Sequence, residues 1–382
     1  AKRLEEALQG RNKIMLSATP LQNNLQELYG LVSIIDPHFF GGLDAFKARY
    51  CRPNLSAADL AGLRDRLKPI VTRTLRKQVQ EEGGIRFTRR YSLTEDFSPS
   101  DAELQLYQSV SEYLQDPELL AIKRGARHLV TLVVRKILAS SSRAIAGTLD
   151  TMIARLESRL PVADESLVDF DNVDDLSDAL ATDAEEPPDE TTLDPVALQA
   201  EITRLKDFRQ LARSIEQDRK AQALLRVLDK AFEMAERLGG ARKAVVFTES
   251  VRTQHWLFEI LNGLPATRGK VILLNGSNSD AGSRQIYKDW LAKYEGTARS
   301  SGSKTADMKA ALVDRFREAD SDSILLCTEA GAEGINLQFC SLLINYDLPW
   351  NPQRVEQRIG RVHRYGQRHD VVVVNFINKG NL

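Results

Sequence analysis

The chain has 382 residues, of which 42% are hydrophobic and 27% charged, and its formal net charge is −1. This is ordinary globular composition with room for two or three domains, and no apolar run approaches the roughly 20 residues that span a bilayer. The three cysteines, Cys51, Cys327 and Cys340, lie too far apart for a zinc site or a disulfide framework, and they predict packing roles in a reducing compartment.

The amino-terminal part of the sequence predicts a helix, a strand and a second helix. The first residues, AKRLEEALQG, lack the apolar core of a signal peptide and predict a helix already under way. We therefore expect the chain to begin inside a larger protein. NKIMLSATP (Asn12–Pro20) has the pattern of a short buried strand that ends in a Ser/Thr turn. In the next segment Leu21, Leu25, Leu28 and Val32 share one helical face.

The following hundred residues are predicted to be mostly helical. A helical and increasingly basic pattern runs from Leu43 to Val79. RRYSLTEDF (Arg89–Phe97) alternates polar and apolar residues, which predicts a strand. SPSD (Ser98–Asp101) then opens a helical region that extends to about Arg159, because Ser, Pro and Asp favour helix starts.

Charge is segregated in the middle of the chain. Between Leu160 and Thr203 there are 14 Asp and Glu residues and no Lys or Arg, so the remainder is strongly net positive. A basic body with an acidic insert fits a nucleic-acid-binding protein, and it equally fits a solvated protein with one acidic loop. The acidic stretch is predicted to be a mobile linker, after which helix resumes from about Pro195 to Leu238.

The last third of the chain predicts a parallel sheet. Five apolar runs are rich in Val, Ile and Leu and are mostly separated by helical segments: KAVVFT (243–248), VILLNG (271–276), SILLCT (323–328), SLLINYD (341–347) and DVVVVNF (370–376). Alternating buried strands and helices predict a parallel sheet covered on both faces. Ligands of such sheets bind at the carboxyl ends of the strands, where TEAGAEGINL and DLPWNP lie.

TEAGAEGINL (Thr328–Leu337) is a candidate ligand turn. Gly331, Ala332 and Gly334 are small enough for the backbone to approach a ligand closely, and Thr328 offers a hydroxyl. A tight strand-to-helix turn explains the same residues equally well.

QRIGRVHRYGQ concentrates fixed positive charge near the carboxyl terminus. At 100° per residue, Gln357, Arg361 and Arg364 fall within about 60° of one another. An apolar face lies roughly 150° away and consists of Val355, Ile359 and Val362. Gly360 predicts that the helix loosens before Arg361. Two guanidinium groups aimed at one point suit a transferring phosphoryl group, the arginine-finger role. A solvated basic helix would show the same spacing.

Together and in this order, these segments resemble the carboxyl-terminal part of a superfamily-two helicase-like ATPase. The likeness is greatest to the Swi/Snf family of double-stranded-DNA translocases. The sequences that carry it are LSATPLQNN (motif III), KAVVFTES (motif IV), LLNGS (motif IVa), LLCTEAGAEGINLQFCSLLINYDLPWNP (motif V) and QRVEQRIGRVHRYGQ (motif VI). Ala332 stands where the family commonly has Gly, and Tyr365 where it commonly has Ile.

The resemblance implies an α/β fold: a RecA-like parallel-sheet lobe with helices on both faces, the end of a first RecA-like lobe, and mostly helical insertions. Six segments follow: the end of lobe one (1–37), its helical insertion (38–90), the start of lobe two with a helical insertion (91–160), an acidic flexible linker (161–195), helices (196–240) and lobe two with motifs IV, V and VI (241–382).

The resemblance also implies roles for individual residues. Arg361 and Arg364 would be the two arginine fingers, with Gly334 near the nucleotide sugar and Gln357 near the phosphates. Contacts to DNA phosphates would come from Thr328 and from the backbone at Gly276 and Thr248. Ser17 and Thr19 would relay the nucleotide state to the DNA.

ATP and Mg²⁺ are the implied cofactors, but the sequence lacks the Gly-rich phosphate loop and the acidic metal motif of such enzymes. We therefore expect both to be bound mainly by a part of lobe one that precedes this chain, and the chain alone to be inactive. The expected partner is double-stranded DNA, with a possible protein partner at the helical insertions and no membrane. The expected location is cytoplasmic, in a bacterium, rather than nuclear.

Two other functions are open at this point. A superfamily-two RNA helicase would share these motifs, and its ATPase would respond to single-stranded RNA more than to duplex DNA. A non-catalytic docking module would use the helical insertions and the acidic segment to recruit a partner. The acidic segment is a candidate DNA mimic that occupies the basic cleft, or an ordinary surface loop.

Overall fold

The computed structural model describes most of the chain in two compact units, residues 1–86 and 87–382. The described residues are 8, 10–17, 25–52, 54–74, 78, 81, 87–117, 119–122, 127–158, 194–319 and 323–379. Thr19 and most of the predicted acidic linker lie outside them. No helix in these ranges is long and apolar enough to cross a membrane.

The first unit contains three described helices: α1 (Leu25–Ile35), α2 (Leu43–Tyr50) and α3 (Ala57–Leu67). They share a small core to which Leu28 and Val32 contribute, as their helical spacing predicts. The helical pattern predicted from Leu43 to Val79 is interrupted, because a new helix begins at Ala57 with a capping box at Ser56.

The strand predicted at Asn12–Pro20 is wrong where it is described. Residues 12–17 have no regular structure, and Ile14 and Leu16 are 90% and 93% exposed. A strand needs neighbouring strands to pair with, and the described part of this unit contains none. Ser17 is also exposed.

The second unit is built on one six-stranded sheet in which every strand pair is parallel. Its order is β1-β6-β5-β2-β4-β3. The strands are β1 (Arg90–Phe97), β2 (Lys243–Thr248), β3 (Val271–Leu274), β4 (Ser323–Thr328), β5 (Leu342–Asn345) and β6 (Val371–Asn378). The five apolar runs are all strands, so the predicted parallel sheet is confirmed. β1 alternates exposed and half-buried residues, as an edge strand should.

Helices cover both faces of the sheet, which confirms the predicted α/β architecture. They are α8 (Arg219–Arg237), α9 (Val251–Gly263), α10 (Ala281–Tyr294), α11 (Lys304–Glu318), α12 (Glu329–Ala332) and α13 (Pro352–Val362). Successive strand residues point to opposite faces, so Val246 packs with α8 and α9 while Val245 packs with α11 and α13. The sheet is therefore buried on both sides.

Between β1 and α8 the chain forms a helical segment with its own core. It consists of α4 (Asp101–Tyr113), α5 (Arg127–Ser140), α6 (Ser142–Glu157) and α7 (Pro195–Ser214). The single helix predicted from Pro195 to Leu238 is broken, because Asp218 starts α8 by accepting a hydrogen bond from Ala221 N.

Candidate functional site

The carboxyl edge of the sheet brings the predicted DNA-contact residues together. Thr248 ends β2 and lies directly across from Thr328, the last residue of the neighbouring β4. Gly276 follows Leu274, which ends β3 and pairs with Cys327 of β4. The three candidates thus lie at one edge of three adjacent strands, although far apart in sequence.

Their side chains differ in accessibility. Thr248 and Thr328 are both buried. The Thr248 hydroxyl donates to Ser250 O at 3.4 Å, and the Thr328 hydroxyl accepts from Gly331 N at 3.4 Å. Both hydroxyls therefore stabilise the turns that follow their strands. Gly276 is exposed, which leaves its backbone at the surface.

The glycines after β4 have structural explanations. A Cβ added at Gly331 would lie 2.3 Å from Leu274 O, so Gly331 permits close backbone packing inside the protein. For this residue the tight-turn interpretation holds rather than approach to a ligand. Gly334 is exposed with φ +77°, a left-handed conformation that other residues rarely adopt.

We expect Gly331→Ala to destabilise the second unit by about 1–3 kcal/mol, since the new methyl group would overlap backbone that cannot move freely. Urea unfolding of the two proteins would measure the difference. Gly263→Ala is the matched control, because a Cβ there has no neighbour within 4 Å among the described residues. Equal stability of Gly331→Ala and wild type would contradict the packing explanation.

Helix α13 presents the predicted phosphate-binding residues. Asn351 caps it by accepting a hydrogen bond from Gln353 N at 2.9 Å, and Pro352 opens its first turn. Ile359 and Val362 are buried and Val355 packs beside them, which confirms the predicted apolar face. Apolar contacts therefore hold one side of the helix against the core.

The end of α13 differs from the prediction. The helix passes through Gly360 and ends at Val362, where His363 N still bonds to Ile359 O at 2.7 Å. It neither loosens before Arg361 nor reaches Arg364, so the predicted clustering of Arg364 on the helical face is wrong. Gln357 and Arg361, four residues apart, do share a face.

The guanidinium groups of the two candidate finger residues have no bonding partner in the part of the chain that the structure describes. Arg361 is half-buried and Arg364 is exposed. Within the described ranges, neither guanidinium group makes a hydrogen bond or an ion pair. Gln357, four residues before Arg361 on α13, is also half-buried. Two fixed positive charges are thus available to an external anion.

A third arginine on α13, Arg358, is fully buried at 0% exposure, and the sequence interpretation missed it. Its Nη2 bonds to Glu249 Oε1 at 2.6 Å and its Nε to Glu329 Oε2 at 2.8 Å. Its Nη1 bonds to the backbone oxygen of Asp347 at 2.6 Å. Arg358 is three residues after Val355 and four before Val362, so its place on the apolar face was the available signal.

The partners of Arg358 belong to a larger buried network at the ends of β2 and β5. Glu249 Oε2 accepts from Lys136 Nζ at 3.0 Å. Asp347 Oδ1 accepts from the buried Lys220 Nζ at 2.6 Å, and Oδ2 accepts from Ser140 Oγ at 2.6 Å. These buried charges are paired and hydrogen-bonded, as their removal from water requires.

Tyr346 lies in the core beside this network, and burial raises its pKa well above the ordinary value. Its hydroxyl has no hydrogen-bond partner among the described residues. We expect Tyr346→Phe to raise the free energy of unfolding by about 1 kcal/mol, because the cost of burying an unsatisfied hydroxyl disappears. Thermal unfolding would show this, with Tyr294→Phe at a less buried position as control. A loss of stability would reveal a partner for the hydroxyl.

The cysteines take no part in the site. Cys327 and Cys340 are buried, and burial raises the pKa of the Cys327 thiol and brings that of Cys340 to about 12. Both are therefore packing residues, as predicted. In the ranges that the structure describes, no cluster of His, Cys, Asp and Glu could hold a metal ion.

Two family models match the chain. The model described as "Helicase conserved C-terminal domain" matches residues 253–366, and "SNF2-related domain" matches residues 1–144. The first match includes most of the carboxyl edge and all of α13.

One curated relative is described as a helicase, in agreement with the helicase model. The chain is 27% identical over 368 residues to the Bacillus subtilis "Uncharacterized ATP-dependent helicase YqhH", which is 96% of the chain and 50% of that protein. It is 53% identical over 57 residues to "RNA polymerase-associated protein RapA" of Serratia proteamaculans, which is 15% of the chain and 6% of that protein. The "Sulfolobus solfataricus SWI2/SNF2 ATPase core domain" is 15% identical with a TM-score of 0.41, covering 94% of this chain and 54% of that one, a likeness too low to carry weight.

The chain spans about half the length of YqhH, so it corresponds to part of that relative. The SNF2-related match precedes the helicase carboxyl-terminal match along the chain. The second match covers β3, β4, β5 and α13, which carry motifs IVa and V and nearly all of motif VI. Residues 1–144 therefore match an SNF2-related domain and residues 253–366 a helicase conserved C-terminal domain, the combination found in an Snf2-type helicase-like ATPase.

Proposed function

We propose that the protein containing this chain is an ATP-driven translocase on double-stranded DNA, and that this chain supplies its arginine fingers. The observation that supports the proposal is the contrast between the arginines of α13 and of the residues directly after it. The guanidinium group of Arg358 bonds to other residues of this chain, whereas those of Arg361 and Arg364 have no bond to the described residues. An arginine whose donors are already paired needs no ligand, but two guanidinium groups without a bond to the described residues, beside a strand edge, suit a phosphate.

In this proposal Arg361 and Arg364 contact the γ-phosphate of ATP. Charge builds up on the phosphoryl oxygens during transfer, and a planar guanidinium fork donates two parallel hydrogen bonds to them. The burial of Ile359 and Val362 holds α13 in place, so little reorganisation is required at the moment of reaction. Gln357, on the same face as Arg361, would orient the phosphates, and Gly334 would lie near the sugar.

The described residues offer no cluster of His, Cys, Asp and Glu that could hold a metal ion. We therefore assign Mg²⁺ to groups outside them. When bound, the ion neutralises phosphate charge. Everything else in the proposed chemistry of this chain is positioning and charge stabilisation by Arg361, Arg364 and Gln357.

Duplex DNA would bind at the carboxyl edge through its phosphates. Thr248, Gly276 and Thr328 are adjacent there, and the exposed backbone at Gly276 suits a phosphate oxygen. Phosphate contacts do not depend on base sequence, so duplexes of different sequence should bind with similar affinity. The logarithm of the binding constant should fall linearly with the logarithm of the salt concentration.

The test of the proposed function is ATP hydrolysis by the full-length protein with different nucleic acids. Duplex DNA should stimulate turnover more than single-stranded RNA of equal length does. Greater stimulation by single-stranded RNA would favour the RNA helicase alternative. A rate of ATP hydrolysis that neither nucleic acid changes would favour the docking module.

Gly276→Asp should weaken binding to duplex DNA by roughly tenfold at low salt, since a carboxylate would oppose a phosphate at short range. Fluorescence anisotropy with a labelled duplex would measure the affinity. Gly263→Asp is the matched control, because Gly263 ends α9 and lies before β3 rather than after it. The same loss in both variants would indicate a general charge effect and not a contact at Gly276.

A further inference from the structure

Helix α13 carries two kinds of anchor with different properties. Ile359 and Val362 are buried against apolar neighbours, and such contacts stabilise without fixing a direction. Arg358 makes directional bonds to groups that follow three different strands: Glu249 after β2, Glu329 after β4 and Asp347 after β5. Hydrogen bonds from a planar fork add geometric specificity, so Arg358 sets the rotation of α13 about its axis.

Arg361 follows Arg358 by three residues, which places the two side chains about 60° apart around the helix. Any rotation of α13 would therefore move the Arg361 guanidinium together with Arg358. An error of about 1 Å in the placement of a catalytic group is enough to slow an enzymatic reaction greatly. The bonds of Arg358 thus control where Arg361 points.

Glu249 extends this control to the helical segment. Its Oε1 accepts from Arg358 and its Oε2 accepts from Lys136 of α5, at 2.6 and 3.0 Å. Ser140, one turn further along α5, donates to Asp347 Oδ2. One carboxylate therefore joins α5 to α13, and a second contact from the same helix reaches the segment that follows β5.

We propose that Lys136, Glu249 and Arg358 form a positioning chain through which α5 of the helical segment orients Arg361 for ATP hydrolysis. The inference rests on the proposed function, because it assigns the chain a purpose only if Arg361 meets a phosphate. None of the three residues touches ATP. They act through the orientation of α13.

The first experiment compares Glu249→Gln, Lys136→Met and the double variant in the full-length protein. Gln keeps the shape of Glu249 but has one acceptor oxygen, so it cannot serve both cations. We expect kcat to fall about tenfold in each single variant, with the KM for ATP and the DNA concentration for half-maximal activity within about twofold of wild type. The double variant should be no slower than Glu249→Gln, since both changes break the same chain.

Binding measurements without turnover give a second readout. Affinity for ADP with aluminium fluoride should fall about tenfold in Glu249→Gln, whereas affinity for ADP alone should not change. Amide hydrogen exchange over residues 352–362 should become faster, while exchange in β2 and β5 stays at the wild-type rate. Lys136→Arg should restore kcat, because arginine can still donate to Glu249.

The control is Lys206→Met, which removes an ion pair to Glu157 at 2.7 Å within the same helical segment but away from α13. It should leave kcat and exchange in α13 unchanged. Lys136 Nζ also lies 5.6 Å from the centre of the Trp350 ring, so a loss confined to the DNA concentration would mean that Lys136 acts there, and would overturn the proposal.

Three other results would count against the positioning chain. Wild-type kcat and exchange in Glu249→Gln, in a protein where Arg361→Ala is inactive, would overturn it and leave the proposed function intact. Additive losses in the double variant would show that Lys136 and Glu249 act separately. Full activity of Arg361→Ala would remove the proposed function and this inference together.

Discussion

Replacing Arg361 with alanine is expected to lower DNA-stimulated ATP hydrolysis by the full-length protein about 10³-fold or more, the effect of losing an arginine finger. The guanidinium group of Arg361 has no bond to the described residues, so its loss should not disturb the fold. ATP affinity should change little, because the missing interaction develops mainly in the transition state. Single-turnover hydrolysis and a separate nucleotide-binding measurement would distinguish these effects.

Arg361→Lys keeps the charge but loses the planar fork, and we expect it to recover only a small part of the activity. Arg354→Ala is the matched control, since Arg354 is an exposed arginine near the start of the same helix. Wild-type turnover in Arg361→Ala would refute the finger assignment. An equal loss in Arg354→Ala would show that the whole helix responds to any change of charge.

Replacing Arg358 with methionine is expected to lower the free energy of unfolding by about 2–4 kcal/mol, because it removes a fully buried cation that bonds to the partly buried Glu249 and Glu329. Arg358 is 0% exposed, whereas the side chains of Glu249 and Glu329 are 12% and 30% exposed, so solvent screens the remaining charges only in part. Methionine approximates the length of the arginine stem, which limits the cavity. Urea unfolding with a probe in the second unit would measure the loss.

Two further variants make this prediction specific. Arg354→Met places the same residue at an exposed position of α13, where we expect a change within about 0.5 kcal/mol. Adding Glu329→Gln to Arg358→Met should recover part of the lost stability, since Glu329 has no other ion pair among the described residues. A loss below about 1 kcal/mol in Arg358→Met would show that the buried network contributes little.

Much of the second unit follows from local sequence. Runs of Val, Ile and Leu between helical segments predicted the strand ends to within two residues, and without any difference at Lys243–Thr248 and Ser323–Thr328. A chain segment buried on both faces must be apolar throughout, so the pattern is strong. The apolar face of α13 was equally readable, because it depends on residues within one or two turns.

The first unit shows where local pattern is insufficient. Asn12–Ser17 has the composition of a strand, yet Ile14 and Leu16 are exposed. Strand formation depends on partners that the pattern of one segment does not supply. The end of α13 was misplaced for a similar reason, since Gly360 lowers helix propensity but packing of the neighbouring Ile359 overrides it.

The sequence by itself determined the alternation of strands and helices in the parallel sheet, the family resemblance, and the position of two arginines near the end of α13. These depend on residue type and on spacing along the chain. Only the tertiary structure decided that Arg358 is buried against Glu249, Glu329 and Asp347, and that Lys136 joins this group from a separate helical segment. These residues are brought together by parallel strands whose carboxyl ends meet at one edge, a proximity that no local sequence pattern contains.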